Sequence, residues 1–181
     1  AIESYNKAIK INPDFAEAFS NMGAALQSKN ELDTAVDSYK QAIKIKPNYA
    51  EAYYNMGVAL KNKGELDAAL DSYKQAIEIN PSYVEAYSNM GSVLLDKGEL
   101  DAAIESCEKV IKIKPDYAGA YHNIGAALHK KGELDAAIES YKQVLKINPD
   151  FAEAWSNMGV ALTDTIFTRP APDLQEIIIS L

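Results

Sequence analysis

One period governs this sequence, since the same pattern returns every 34 residues along most of its length. Proline, glycine and asparagine each keep this step. The recurring residues are Pro13, Pro47, Pro81, Pro115 and Pro149; Gly23, Gly57, Gly91, Gly125 and Gly159; and Asn21, Asn55, Asn89, Asn123 and Asn157. A fixed period in this range indicates a stacked repeat protein, in which each unit buries its apolar face against its neighbours.

Each repeat is predicted to form two helices. In the first full repeat they extend over about Phe15–Lys29 and Glu31–Lys44, because apolar residues return there every three or four positions. Asp14 followed by Glu17 predicts a capping box at the start of the first helix. The equivalent pairs are Asn48 with Glu51, Ser82 with Glu85, and Asp150 with Glu153.

Glycines are expected at two kinds of position. Between the two helices of each repeat stands Asn30, Gly64, Gly98 or Gly132, where a left-handed residue ends the first helix. A glycine inside the first helix, such as Gly23, costs about 1 kcal/mol relative to alanine. We expect the reason to be close approach of the second helix, with the small residues Ala35, Ala69, Ala103 and Ala137 opposite the glycines.

The period also divides the chain. Residues 1–162 are predicted to form the repeat array, with a half repeat at 1–15, full repeats at 16–49, 50–83, 84–117 and 118–151, and a half repeat at 152–162. Residues 163–181 leave the pattern, and Pro170 and Pro172 exclude a continuous helix there. The apolar stripe of this tail, Leu174, Ile177, Ile178 and Leu181, is expected either to cap the last repeat or to begin a following segment.

Charge and composition limit the partners. The formal net charge of −8 and the pI near 4.8 mean that nucleic acid and anionic membrane surfaces would repel the chain. No run of 18 apolar residues exists, so no membrane-spanning segment is expected. Cys107 is the only cysteine, which excludes an internal disulfide and suits a reducing compartment. We therefore expect a cytoplasmic protein whose partner is a protein or peptide.

No catalytic arrangement is recognisable in the sequence. It contains no nucleophile elbow, phosphate-binding loop or metal-ligand cluster. His122 and His129 lie seven residues apart on one helix face, about 10 Å along the axis, which is too far for a single metal ion. We expect no enzyme activity in this chain and no cofactor, and we treat both histidines as polar surface residues.

These recurring positions resemble the tetratricopeptide repeat (TPR) family over about residues 1–162. In the first full repeat the matching residues are Phe19, Met22, Gly23, Leu26, Ala35, Tyr39, Ala42 and Pro47. One departure is Cys107, which replaces the tyrosine found at Tyr39 and is expected to be a smaller core residue. The resemblance implies an all-α fold, a right-handed α-solenoid of 34-residue helix-turn-helix repeats.

The resemblance also implies a place for a ligand. In TPR arrays the first helices line a concave groove, so the binding face of the first repeat is expected to comprise Glu17, Ser20, Asn21, Ala24, Gln27 and Ser28. The asparagines are its most regular members. Because an amide both donates and accepts hydrogen bonds, a row of amides can pair with successive peptide groups, similar to the asparagine ladder in the TPR arrays of O-GlcNAc transferases. The alternative is that these amides bridge neighbouring first helices.

Selectivity would come from side chains on this face that change between repeats. One position holds Ser20, Tyr54, Ser88, His122 and Ser156, and neighbouring positions hold Lys61, His129 and Lys130. Three functions remain open: a scaffold that binds an extended peptide, a substrate-recruiting arm of a larger modifying enzyme such as a glycosyltransferase, and a module that self-associates head to tail.

Overall fold

The computed structural model describes residues 1–168, and every regular element in this range is an α-helix. The ten helices of the described residues are α1 (Ile2–Ile11), α2 (Ala16–Gln27), α3 (Leu32–Ile45), α4 (Ala50–Lys63), α5 (Leu66–Ile79), α6 (Val84–Lys97), α7 (Leu100–Ile113), α8 (Ala118–Lys131), α9 (Leu134–Ile147) and α10 (Ala152–Thr168). The all-α class and the two helices per repeat are therefore confirmed. The stripe predicted at residues 174–181 lies outside the described residues.

The chain divides into an N-terminal unit, residues 1–93, and a C-terminal unit, residues 94–181. In the N-terminal unit α1 packs on α2, α2 on α3, α3 on α4 and α4 on α5. The helix α2 also touches α4, so the first helices of these adjacent repeats are neighbours. In the C-terminal unit α7 to α10 pack in the same consecutive order, and α8 touches α10.

The second helix of each repeat supplies the largest buried side chains. In α3, Tyr39 is buried, and Ala35 and Ala42 lie on the same helix face and are fully covered. These three positions are separated by four and three residues, so they share one side of the helix. Tyr73 in α5 and Tyr141 in α9 repeat this arrangement, which makes the aromatic ring the centre of these three helix pairs. In α7 the buried residue at this position is Cys107.

The predicted left-handed residues between the helices are confirmed. Asn30 has a φ of 63°, and Gly64, Gly98 and Gly132 have φ values between 78° and 83°. At the end of α4 the N–H of Gly64 donates to the Lys61 carbonyl, and the N–H of the next residue donates to the Leu60 carbonyl. These bonds satisfy carbonyl groups that the helix leaves open at its C-terminus.

The predicted capping boxes are wrong for α2 and α4. The N-cap residues of these helices are Phe15 and Tyr49, and neither makes a side-chain capping bond. Asp14 stands one position too early, and its backbone N–H donates to Asn12 Oδ1. Glu17 accepts a 2.9 Å hydrogen bond from Lys46 Nζ. This bond holds the pKa of Glu17 below its usual value and ties α2 to the end of α3.

The partner predicted for the mid-helix glycines is also wrong. A Cβ atom added to Gly23 would lie 2.8 Å from Cε1 of Tyr39, which is closer than real side chains approach. Gly125 stands in the same relation to Tyr141, at 2.7 Å. The glycine therefore makes room for the tyrosine ring of the second helix and not for an alanine.

The last described helix, α10, continues past the predicted end of the array at Leu162 and reaches Thr168. It packs on α9, but within the described part of the chain no second helix follows it. A Cβ at Gly159 would meet no atom within 4 Å. Trp155 is 54% exposed, whereas the equivalent aromatic residues of the other first helices are half-buried, and Phe167 is 81% exposed.

Candidate peptide-binding face

The recurring asparagines occupy equivalent positions on one side of the first helices. We call this side of α2, α4, α6, α8 and α10 the amide face. Asn21 is exposed, and Asn55, Asn89, Asn123 and Asn157 are half-buried. Two serines expected on this face are instead buried, since Ser20 is 3% and Ser88 is 9% exposed.

In the N-terminal unit, Tyr54 of α4 is held by three neighbours. Its ring centroid lies 6.0 Å from that of Tyr73 and 5.0 Å from that of Tyr83. Its hydroxyl accepts a 3.1 Å hydrogen bond from Nδ2 of Asn89 on α6. In this arrangement a ring lies between two aromatic neighbours and accepts a hydrogen bond from the asparagine of the following first helix. We call it an aromatic–amide clamp.

The C-terminal unit contains a second clamp with the same geometry. The His122 ring lies 6.0 Å from Tyr141 and 5.3 Å from Phe151 between centroids. Nδ2 of Asn157 lies 3.1 Å from Nε2 of His122. Because an amide nitrogen can only donate, Nε2 must accept and the ring proton must be on Nδ1. Each residue of this clamp is 68 positions beyond its equivalent in the first.

Asn123 has a different partner, the thiol of Cys107 on the preceding second helix. Cys107 is fully covered, and burial raises the pKa of its thiol to about 11, an effect that the Asn123 bond partly opposes. By contrast, the side chains of Asn21 and Asn55 make no hydrogen bond within residues 1–168. The bridging alternative therefore holds for Asn89 and Asn157, whereas two amides keep their donors and acceptors available.

The basic side chains predicted on this face contact neighbouring first helices. Lys61 Nζ donates to Ser92 Oγ at 3.1 Å in the N-terminal unit. In the C-terminal unit Lys130 Nζ donates to the Leu95 carbonyl at 3.3 Å. Among the described residues neither lysine has a carboxylate partner, so both charges are available to a ligand.

His129 differs from these lysines because it has an acidic partner. Its Nε2 lies 2.7 Å from Asp164 Oδ2, which joins α8 to the extended end of α10. A carboxylate oxygen accepts, so Nε2 of His129 carries the proton. His122 and His129 are thus held in opposite tautomers by their hydrogen-bond partners.

Other lysines serve structural contacts at helix ends. Lys63 Nζ is shared by Asp33 and Glu65, which connects α4 to α3 and α5. These two carboxylates raise the pKa of Lys63. Lys131 contacts Asp101 and Glu133 in the same way in the C-terminal unit. These ion pairs leave Lys63 and Lys131 less free than Lys61 to bind an acidic group.

The tyrosines beneath the face differ in how their hydroxyl groups are satisfied. Tyr39 donates a 3.1 Å bond to Oε1 of Gln27. Burial, with a smaller effect of Glu51, raises its pKa to about 12. Lys61 replaces Gln27 in the next repeat and cannot accept a bond. The hydroxyl of Tyr73 is accordingly buried without a hydrogen bond of good geometry in the described part of the chain. Burial raises its pKa, and the amide of Asn89 nearby partly opposes this rise.

Residues 1–168 lack a clustered metal-ligand group and a membrane-spanning helix. They contain no group of three or more His, Cys, Asp or Glu side chains placed to hold a metal ion. None of their helices has the length and apolar character needed to cross a membrane.

Comparisons with known proteins identify the family. A family model described as "TPR repeat" matches residues 1–30, 26–64, 59–98, 91–132 and 126–164. The crystal structure of MamA is similar at a TM-score of 0.79 and 35% sequence identity, over 84% of this chain and 89% of that chain. No curated protein sequence matches.

Two further solved structures are similar in fold alone. One is MamA 41-end from Desulfovibrio magneticus RS-1, with a TM-score of 0.78 and 23% identity over 83% of this chain and 85% of that chain. The other is PilF of Pseudomonas aeruginosa, with a TM-score of 0.74 and 17% identity over 83% and 68% of the two chains. On the family match and the MamA similarity, this chain belongs to the tetratricopeptide repeat family.

Proposed function

We propose that this chain is a scaffold that binds an extended peptide segment of a partner protein on the amide face. Membership of the tetratricopeptide repeat family supports a protein as the partner. The observation that carries the proposal is that two of the five recurring asparagines, Asn21 and Asn55, make no side-chain hydrogen bond within the described residues. Asn21 is exposed and Asn55 is half-buried.

The chemistry of the face suits a peptide backbone. Each peptide group offers one N–H donor and one C=O acceptor, and an asparagine amide can bond to both. Such bonds do not depend on the ligand's side chains, so they favour an extended segment of variable sequence. The unpaired charges of Lys61 and Lys130 would add a preference for acidic side chains near them.

Selection of peptides provides the test. A random library of linear 12-residue peptides is displayed on phage and enriched on the full 181-residue chain, and the enriched peptides are titrated by fluorescence anisotropy. The double variant Lys61→Glu/Lys130→Glu changes the amide face. Its matched control is Lys74→Glu/Lys142→Glu, because these lysines lie on α5 and α9 in exposed pairs with Asp71 and Glu139.

The two variants separate the amide face from the rest of the surface. We expect the face variant to weaken binding of the enriched peptides by roughly tenfold or more and the control to leave it nearly unchanged. Failure to enrich any peptide would contradict the proposal. Equal effects of the two variants would contradict it too, because the bound peptide would then lie elsewhere.

A further inference from the structure

Resting on that function, we propose that Asn21 and Asn55 are the amides that bond to the peptide backbone. In the same proposal Asn89, Asn123 and Asn157 are positioning residues, whose side chains bond to neighbouring helices and keep these helices in place. The five asparagines occupy the same position within their repeats, but their hydrogen bonds divide them into these two classes. The proposed backbone contact therefore lies in the N-terminal unit, on α2 and α4.

The positioning class is defined by occupied amide groups. Asn89 Nδ2 donates to the Tyr54 hydroxyl and Asn157 Nδ2 lies against His122 Nε2, both at 3.1 Å. Asn123 bonds to the Cys107 thiol. A ligand that recruited any of these amides would first have to displace an internal bond, so part of the gain on binding would be lost.

A specific cause leaves Asn55 unoccupied. Tyr54 and His122 each stand 35 residues before the asparagine they bind, and the residue 35 before Asn55 is Ser20. Ser20 is 3% exposed and carries only a short hydroxymethyl group, so it cannot form a clamp. Cys107, the partner of Asn123, stands 16 residues before it, and the residue 16 before Asn55 is Tyr39. The Tyr39 hydroxyl donates to Gln27, so it does not bond to Asn55.

The two available amides have a spacing that fits an extended chain. The helices α2 and α4 are in contact, and packed helices have axes about 8–10 Å apart. An extended peptide advances about 3.3 Å per residue. Asn21 and Asn55 would therefore bond to peptide groups about three residues apart. The ligand is an extended segment in which these two backbone groups are free to bond.

Matched substitutions test the division. Asn21→Ala, Asn55→Ala, Asn89→Ala and Asn157→Ala make the same chemical change at equivalent positions. The probe is the tightest peptide enriched from the 12-residue library on the wild-type chain. We expect Asn21→Ala and Asn55→Ala each to weaken binding roughly fivefold or more. Asn89→Ala and Asn157→Ala should lower the midpoint of thermal unfolding while changing affinity by less than about twofold.

The outcomes distinguish this inference from the proposed function. If Asn89→Ala weakens binding as much as Asn55→Ala, or if Asn55→Ala has no effect, the division is wrong while peptide binding stands. If binding is also insensitive to Lys61→Glu/Lys130→Glu, the proposed function fails as well.

A measurement without any peptide tests the positioning class independently. In ¹⁵N NMR spectra near pH 8 we expect His122 as the Nδ1–H tautomer and His129 as the Nε2–H tautomer. The substitution Asn157→Ala should shift the His122 signals and leave those of His129 in place. A His122 ring protonated on Nε2 in the wild-type chain would show that Asn157 does not donate to it, and would remove this clamp from the positioning class.

Discussion

Tyr73 lies directly on the backbone of α4 at Gly57. A Cβ atom at Gly57 would stand 2.6 Å from Cε1 of the Tyr73 ring, compared with 2.8 Å at Gly23 and 2.7 Å at Gly125 for the equivalent tyrosines. The ring is fully covered, so it has little freedom to move aside. This contact fixes how closely the two helices of the repeat pack, and it places the Tyr73 hydroxyl beneath the amide face.

Substituting Gly57 by alanine should destabilise the protein. Overpacking a filled core typically costs about 1–3 kcal/mol, which exceeds the gain of about 1 kcal/mol from replacing glycine within a helix. Gly159→Ala is the matched control, because no atom lies within 4 Å of its added Cβ. Urea unfolding followed by circular dichroism should give a lower midpoint for the first variant and an equal or higher midpoint for the second. A stabilised Gly57→Ala would contradict the close contact.

Removing the hydroxyl group should have opposite consequences at two equivalent tyrosines. Tyr39→Phe loses the bond to Gln27 and should cost about 0.5–1.5 kcal/mol. Tyr73→Phe removes a buried hydroxyl that makes no hydrogen bond of good geometry among the described residues, so it should be neutral or stabilising. Thermal unfolding of the two variants provides the comparison. Equal losses would show that Tyr73 has a hydrogen-bond partner in solution.

The Cys107 thiol should be unreactive in the folded protein. It is fully covered, and burial raises its pKa to about 11, so at pH 8 it is protonated and shielded. Ellman's reagent should label it slowly in native buffer and rapidly in denaturing guanidinium. Rapid labelling of the native chain would show that α7 opens readily.

The same thiol predicts a dependence of stability on alkaline pH. In the unfolded chain a cysteine ionises near pH 8.5, whereas the folded value is about 11. The folded state therefore binds the proton more tightly, and the resulting stability is fully present below about pH 8.5 and is lost as the pH rises toward 11. A Cys107→Ala variant should lose less stability than the wild type over this range, as urea midpoints at each pH would show.

The features that the sequence predicts correctly have local and repeated signals. Apolar residues at helical spacing identify the helix pairs, and the turn position held by Asn30 and Gly64 needs only a residue that tolerates positive φ. The family and its fold follow from these patterns. Each of these inferences depends on residues that are close in the sequence, and the same signal recurs in every repeat.

Other features depend on which side chains of different helices touch one another. The sequence alone does not determine these contacts. Ala69 and Tyr73 lie on the same face of α5, so periodicity cannot tell which of them meets Gly57. The capping boxes fail because Asn12 binds the backbone at Asp14 in a competing turn. The alternation of serine with Tyr54 and His122 is visible in the sequence, but its effect on the asparagines requires the approach of successive first helices.

The most direct test of backbone recognition is an N-methyl scan of the enriched peptide. Methylating one backbone N–H at a time removes a single donor, and each analogue is titrated against the wild-type chain and the Asn21→Ala and Asn55→Ala variants. We expect methylation at two sites about three residues apart to weaken binding to the wild-type chain. In each variant one of these two methylations should have no further effect, because the asparagine that it would affect is already absent. The account would be contradicted if binding tolerated methylation throughout and responded only to truncation of the peptide's side chains.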